Sequence, residues 1–597
     1  MPAYQAPLHD MRFMAHYLKH YADKQCPPLA DVFDLDLFHA IVVEADRFAQ
    51  GMMQPSNRIA DEFGAQLHEG TVHTTPEWHP LYTQFIESGW IGLALPEAQG
   101  GQGLPRSFAR AVWEMWYSTN LAFSMLPQLN VAQAEALIAT ADPRWHQPWL
   151  EKIVSGQWAA TMDLTEPQAG SDLAATTMRA EPQTDGSYRL FGQKIYISFG
   201  EHELAENIVH LVLARLPDAP AGHHGLSLFL APKYLVDEQG QLGAKNDIAC
   251  VSIEDKLGIR GSPTCTLIYG DNQGATAYLV GAPNQGLAQM FVMMNEARQA
   301  VALQAVGVSE KAYQLARQFA RERVQGAVVG QDPATVQPIM HHPDVKRMLL
   351  ELRSTTFAMR ALCYSLGAYV DQLEHTTDAK QKKQLEQLVD VLLPVAKGWC
   401  TEKASYNSAL AVQVFGGMGY VEETGIAQVM RDARILPIFE GTTGIQAKDL
   451  LGRKLLRDKG QSLAVLLQHI ERSIAPLTQY PSLAATADLL QRAVDAGRAS
   501  VESLLTSSRS LYSLFAVSVP LLELLGVLSA AWQLAQLAVF ANQASAQAAE
   551  GQEYCVGVQQ LWLYYATHQL PTVHALAQVV QSGGTAIEQA DFDWALI

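Results

Sequence analysis

The six cysteines of this chain (Cys26, Cys250, Cys265, Cys363, Cys400 and Cys555) are scattered, and no two form a CxxC pair. That excludes a disulfide framework or a cysteine zinc site as the organising element, and makes the reducing cytoplasm the expected compartment. Basic residues are also scarce: 42 Lys and Arg against 60 Asp and Glu give a formal charge of −18. Neutralising a phosphate backbone needs a clustered Lys/Arg excess, so nucleic acid is not an expected partner. No GxGxxG follows a strand-like run, which leaves a nicotinamide-dinucleotide fold unsupported. The opening MPAYQAPLHDMRFMAHYL has no apolar stretch behind a basic start, so no secretory signal is expected there. His341 and His342 have no companion ligands at metal spacing; they read as loop histidines, and no metal is expected.

What is present is globular. Apolar residues make up 48% and charged residues 17% of the chain, a composition that buries a large core. With 597 residues the chain exceeds one ordinary core, and three or four domains are expected. One run, Leu511 to Gln543, carries only Glu523 and Pro520 against its apolar character and is long enough to span a bilayer. Ser, Gln and Glu recur in it without a basic cluster on either flank, and a central Glu is costly in lipid. It reads as a buried helix or helix pair, and a peripheral membrane contact stays open.

Hydrophobic periodicity divides the chain. After an N-terminal extension (1–35), residues 36–160 show 3.6-period helical patterns, with the glycines of EAQGGQGLP marking a turn. Residues 161–285 hold short β-branched or alternating runs, such as GSYRLFGQKIYIS, NIVHLVLARL and TCTLIYG, expected to form a compact antiparallel β domain. Long amphipathic blocks in 286–457 indicate a helical bundle. After the polar break RDKGQS, residues 460–597 form an additional helical domain. The fold class is therefore mainly α with a central β domain.

Three separated segments can carry chemistry. MDLTEPQAGSDL (Met162–Leu173) offers hydroxyls and backbone amides that suit close approach to a planar polar ring, or simply an ordinary capped turn. In GQKIYISFG, strand alternation would place Tyr196 and Ser198 on one face, an aromatic platform beside a hydroxyl. In RDARILPIFEGTTGIQ, Glu440 follows Ile435, Leu436, Pro437, Ile438 and Phe439 and precedes Gly-Thr-Thr-Gly. It is either an acid of the first helical turn, favoured by the dipole, or a carboxylate kept for proton transfer.

In order and spacing these segments resemble the acyl-CoA dehydrogenase family. Its flavin loop reads T-E-P-x-A-G-S-D, as Thr165–Asp172 does, and its strand reads G-x-K-x-W/Y-I-T/S, as in Gly192–Ser198. DKLGIRGSPTC (Asp255–Cys265) matches a further β-domain segment. Gln413–Gly417 matches Q-x-F-G-G, and Arg431–Thr442 matches the base segment. The resemblance spans about residues 40 to 455. The N-terminal and C-terminal additions resemble a large bacterial subgroup that includes 3-methylmercaptopropionyl-CoA dehydrogenases.

The resemblance implies FAD bound between the β domain and a four-helix bundle. It further implies that Glu440 removes the α-proton of an acyl-CoA, while flavin N5 takes the β-hydride and a trans-2-enoyl-CoA remains. The apolar run before Glu440 would raise the base's proton affinity by desolvation. By motif, Met162, Leu164, Thr165, Gly170, Ser171, Tyr196, Ser198, Arg323, Gln413, Gly416, Gly417 and Thr442 would hold FAD. Ser171, Asn295, Arg298 and Gly441 would meet the acyl-CoA. In relatives that carry the base on the earlier helix it stands just before the Arg; here that residue is Ala297, and Glu296 lies about 100° away round the helix. An electron-transfer flavoprotein is the implied electron acceptor, and a homodimer the implied assembly. Fatty acid β-oxidation is the implied process.

Departures from the pattern are Gln168 for a glycine of the flavin loop, Phe199 for a small polar residue, VQGAVV after Arg323, and Gly444 before Ile445. An acyl-CoA oxidase would share base and flavin and differ in oxygen access. The DNA-associated relative of the family should carry a basic C-terminal surface, which residues 460–597, poor in Lys and Arg, do not supply.

Overall fold

The strand Asn207–Arg215 is buried at every position but the last, so it has no polar face and must lie inside a covered sheet. The computed structural model describes residues 4–140, 142–332, 334–547 and 551–591. Its chain forms two compact units, one from Arg47–Leu104 with Thr119–Ala300, the other from Met1–Asp46, Pro105–Ser118 and Val301–Ile597.

The first unit is built on eight strands: β1 (Trp158–Asp163), β2 (Arg179–Pro182), β3 (Tyr188–Ser198), β4 (Asn207–Arg215), β5 (Leu226–Pro232), β6 (Ile248–Ile253), β7 (Thr264–Tyr269) and β8 (Ala275–Val280). β3 pairs with β8, β8 with β5, β5 with β4, β4 with β2 through one bridge, and β2 with β3. Those five strands close a ring, while β7 and β6 extend from the second half of β3. The expected wholly antiparallel pairing does not hold. β1 runs parallel to β4 from Trp158↔Asn207 to Asp163↔Val212, because the long connection between them allows a crossover that a hairpin cannot. The helix Leu121–Ala139, capped by Asn120, covers this edge. Its Asn130 amide donates to the Ile153 and Trp158 carbonyls at 2.8 Å and accepts from the Ala160 N–H. The mainly helical N-terminal segment also contains a small hairpin, Gln66–His68 with Thr71–His73.

The second unit is helical. Helices Pro343–His375 and Ala379–Phe415 pack on each other, and both receive Ser518–Gln547 from the C-terminal segment. The apolar run is thus a helix pair, Leu511–Phe515 and Ser518–Gln547. By length and composition the second helix could cross a membrane, but most of it is buried in this unit. Its Gly526 lies against Trp399, where a Cβ would come within 2.2 Å of the ring; only glycine permits that approach. The segment after Arg323 forms a small hairpin, Val324–Ala327 with Val336–Pro338, rather than a plain loop.

A buried ionic knot ties this unit together. Arg360, with no exposed surface, donates to Asp10 at 2.7 Å, to Glu310 at 2.7 Å and to Glu114 at 2.6 and 3.0 Å. Arg353 donates two further bonds to Asp10 at 2.5 and 2.6 Å, and the Tyr554 hydroxyl adds a fourth at 2.8 Å. The N-terminal extension, the bundle helices and the C-terminal helix Gln552–His568 meet at these groups. Burial pushes the Asp10 carboxyl up, but Arg353 and Arg360 outweigh it and bring it from 3.8 down to about 2. A folded pKa below the unfolded one stabilises above the unfolded value, and that contribution fades as pH falls through the folded value. Asp10→Asn is expected to cost about 2 kcal/mol at pH 6. The gap to wild type in urea denaturation should narrow as pH drops from 5 toward 3.

Candidate active site

Each unit carries its share of the sequence-derived residues, beginning with the loop after β1. The turn Pro167–Gln168 is closed by mutual backbone bonds between Glu166 and Ala169 at 2.9 and 3.1 Å. Glu166 is itself buried and accepts from Lys194, the Thr177 N–H, the Thr177 hydroxyl and the Met178 N–H at 2.8–3.2 Å. Lys194, from the middle of β3, also donates to the Leu164 carbonyl at 2.9 Å, and the Ile195 N–H donates to the Thr165 carbonyl at 2.9 Å. Burial pushes Glu166 up, yet Lys194 and the Thr177 donors prevail and hold it below the usual carboxylate range. The loop of Met162, Leu164, Thr165, Gly170 and Ser171 is therefore fixed to the strand of Tyr196 and Ser198.

The departure at Gln168 has a local reason. Its amide donates to Glu166 at 2.6 Å, to the Thr177 hydroxyl at 3.0 Å and to the Ala175 carbonyl at 3.2 Å, bracing the loop from within. Below the loop, Asp163 is buried and accepts from the Thr161 and Tyr269 hydroxyls at 2.5 Å each, and His210 contacts Thr161 at 2.8 Å. Gly170 and Ser171 are exposed, and a Cβ on Gly170 would meet nothing within 4 Å.

The alternation expected for Tyr196 and Ser198 is broken. Pairing of β3 with β7 slips between Ile197 and Lys194, so two residues of β3 face one of β7. Tyr196 lies in this bulge with φ +60° and the residue is 61% exposed. Bulges of this kind re-aim a side chain, and this one presents the phenol outward. Phe199, another departure, also has positive φ (+52°), is buried and packs near Trp78 and His202. On the helix Gly286–Glu322, Asn295 is exposed. Arg298 is buried with its guanidinium 5.9 Å from the Phe291 ring, and Glu296 is buried as well.

In the helical unit, Arg323 is exposed just after that helix, where its carbonyl accepts from the Ile339 N–H at 2.7 Å. Phe319, one turn earlier, stacks on Phe415 with centroids 4.3 Å apart. That contact places the helix end carrying Arg323 beside Gln413–Gly417, the C-terminal end of the helix Ala379–Phe415. Gly416 ends its helix with φ +60°, and Gly416 and Gly417 have open space where a Cβ would stand.

Glu440 sits in a turn, not in a helix. The helix Thr443–Leu451 is capped by Thr442, whose hydroxyl accepts from the Ile445 N–H at 3.2 Å, and no acid occupies its first turn. The first-turn reading of Glu440 is thereby overturned: it lies two residues before the cap, with φ +55°. The apolar run is not a uniform wall either. Ile435–Phe439 turns on itself through bonds from the Ile438 and Phe439 N–H to the Ile435 carbonyl, so its side chains fan out. Leu436 and Pro437 are buried, Ile438 is 47% exposed, and Glu440 itself is half-buried.

The turn is gripped from below. Lys397 has no exposed surface and donates to the Gly441 carbonyl at 2.6 Å. The Gln446 amide donates to the Glu440 and Gly441 carbonyls at 3.2 Å each, and the Thr443 hydroxyl donates to Glu402 at 2.6 Å. Glu166, Lys194, Lys397 and Gln446 were not among the residues singled out from sequence. A lysine inside an alternating strand and one inside an apolar helix were the available signals.

A closed β ring with a bulged aromatic strand, together with a helical unit bearing a carboxylate in a glycine turn, defines an acyl-CoA dehydrogenase architecture. Family models match in order along the chain: the acyl-CoA dehydrogenase N-terminal domain over residues 39–157, the middle domain over 161–271 and the C-terminal domain over 284–456. An acetyl-CoA dehydrogenase C-terminal-like domain follows over 466–591. The chain is 43% identical over 541 residues to 3-methylmercaptopropionyl-CoA dehydrogenase of Ruegeria pomeroyi, covering 90% of this chain and 91% of the relative. It is 32% identical to the broad-specificity linear acyl-CoA dehydrogenase FadE5 of Mycobacterium tuberculosis, over 94% of both. The structure of an acyl-CoA dehydrogenase complexed with FAD from Bacillus anthracis has the same fold, with a TM-score of 0.73 at 21% identity over 93% of this chain and 89% of that one. The chain belongs to the acyl-CoA dehydrogenase family, a family of oxidoreductases.

Lys194→Met leaves Glu166 as a buried carboxylate without its cation, a change that typically costs about 3–5 kcal/mol. It is expected to lower the urea midpoint and to increase proteolysis within Met162–Leu173, both measurable against wild type.

Proposed function

We propose that this protein oxidises a linear acyl-CoA across its Cα–Cβ bond, with Glu440 as the base and FAD as the cofactor. The observation that carries the base assignment is the turn itself. A non-glycine residue at φ +55° followed by Gly441 at φ +88° costs roughly 1–2 kcal/mol in backbone strain, and four side chains are spent on holding it. Strain of that sort persists where geometry is being kept for a purpose. The rival on the earlier helix, Glu296, stands one step from the position before Arg298, which is Ala297.

The residues present suit FAD. Each unit presents such groups by itself: the β unit has the outward phenol of Tyr196 and the loop Leu164–Ser171 braced through Lys194, and the helical unit has the open glycines 416 and 417 and the exposed Arg323. When bound, FAD accepts the hydride that leaves the β-carbon. The α-proton of a thioester is too weakly acidic for a carboxylate in water, so the chain must position the base and stabilise the enolate oxygen. Glu440 takes the proton; backbone amides of the same turn are the donors at hand for the oxygen.

The methylthio-substituted propionyl-CoA used by the 43% identical relative belongs in the substrate range we propose, beside unsubstituted linear chains. An electron-transfer flavoprotein as acceptor, a homodimeric assembly and a cytoplasmic location complete the proposal. They rest respectively on the dehydrogenase relatives, the helical C-terminal addition and the six free cysteines.

The test is anaerobic. The wild-type protein, yellow with FAD, should bleach on mixing with members of a C4–C16 acyl-CoA panel that includes the methylthio analogue. Glu440→Gln should keep its colour and bleach at least about 10²-fold more slowly. Normal bleaching of the variant would remove Glu440 as base. Peroxide formation in air at the turnover rate would make the protein an oxidase.

A further inference from the structure

We propose that Lys397 is a positioning residue for the base: its ammonium, acting with the Gln446 amide, fixes the Glu440–Gly441 peptide from which the Glu440 carboxylate works. The inference rests on the reading of Glu440 as base and assigns that base a dedicated support.

Lys397 belongs to the helix Ala379–Phe415, at a position with no exposed surface. An ammonium removed from water loses several kcal/mol of solvation, so a lysine there requires strong acceptors. The Gly441 carbonyl at 2.6 Å is one, and bonds to an ionised donor are about twice as strong as neutral ones. The acceptor is not just any carbonyl; it belongs to the residue directly after Glu440. Two residues in succession have positive φ, and their carbonyls are met by Lys397 from the helix Ala379–Phe415 and by Gln446 from the helix Thr443–Leu451.

The same helix holds the far side of the turn. Glu402, five residues beyond Lys397, accepts from the Thr443 hydroxyl. Gln446 is fully buried and occupies the space a side chain at 441 would need, since a Cβ there would lie 2.8 Å from its amide nitrogen. Glycine at 441, glutamine at 446 and lysine at 397 therefore form one steric and hydrogen-bonded unit. Its output is the direction in which Glu440 leaves the backbone.

Proton transfer from carbon is sensitive to that direction: misplacing a catalytic group by about 1 Å can cost about 10²-fold in rate. Lys397 does not need to touch the substrate for this. Its removal should slow the chemical step and spare binding, a split that general loosening of the fold would not give.

The experiment uses the FAD-loaded enzyme and the acyl-CoA that bleaches the wild type fastest. Stopped-flow bleaching gives a limiting rate and a half-saturating concentration. For Lys397→Met, which keeps an unbranched apolar chain one atom shorter and removes the charge, the limiting rate should fall 10- to 100-fold while half-saturation moves less than threefold. Gln446→Met should fall three- to tenfold with the same split. A Lys397→Met protein that bleaches within twofold of wild type overturns the proposal, as does a parallel loss of rate and binding. Should Lys397→Met fail to fold, Gln446→Met decides by the same two criteria. Glu440→Gln separates the levels: an inert Glu440→Gln beside a normal Lys397→Met sinks only the positioning role, whereas an active Glu440→Gln sinks the base itself.

Discussion

Arg360 has no surface in contact with water, and three carboxylates converge on its guanidinium. Burying a charge is expensive unless partners surround it, and breaking such a group costs far more than its net contribution to stability. The knot is therefore better seen as a constraint than as a source of stability. Asp10 comes from the N-terminal extension, Glu114 from the helix Arg106–Thr119, Glu310 from the bundle helix Gly286–Glu322, and Tyr554 from the C-terminal helices. Those segments can satisfy the arginine only when each is in place. Two arginines face three acids in this cluster, and burial pushes the Glu114 carboxyl up.

The same device recurs at smaller scale where chemistry is expected. Lys194 and Lys397 are each fully buried, and each donates to a backbone carbonyl of a loop: Leu164 in one unit, Gly441 in the other. In both cases a desolvated ammonium replaces the regular hydrogen-bond ladder that a loop lacks. A loop fixed in this way can depart from helix or strand geometry and keep it, as the positive φ of Glu440 shows. The cost of the strain is local, and the offsetting interactions come from regular elements close by.

The strand runs and helical blocks were legible by periodicity or by unbroken apolar character: β6 alternates, with Ile248 and Cys250 buried and Ala249 and Val251 exposed, while β4 and β5 are continuous buried runs. The pairing partners were not. Nothing in NIVHLVLAR says that its neighbour Trp158–Asp163 runs parallel to it, since a strand's own pattern carries no direction. The bulge at Tyr196 was hidden for a related reason: it arises from a register slip against β7, a property of two strands together. Glu440 could be found by its motif, but its competing first-turn role was settled only when Thr442 proved to be the cap. Lys397 stood unnoticed inside LPVAKGWC, because a lysine in an apolar helix acquires meaning only from what lies opposite it.

By itself, the sequence determined the family and the order of helical and β segments, and it singled out Glu440 as the proposed base. These follow from residue type, spacing and charge, which are properties of the chain. The tertiary structure alone decided which carbonyls receive the buried lysines, where the backbone is strained, and that the long apolar run is a core helix lying on Trp399. Those depend on which residues, distant in sequence, share one desolvated space, and no local pattern encodes that.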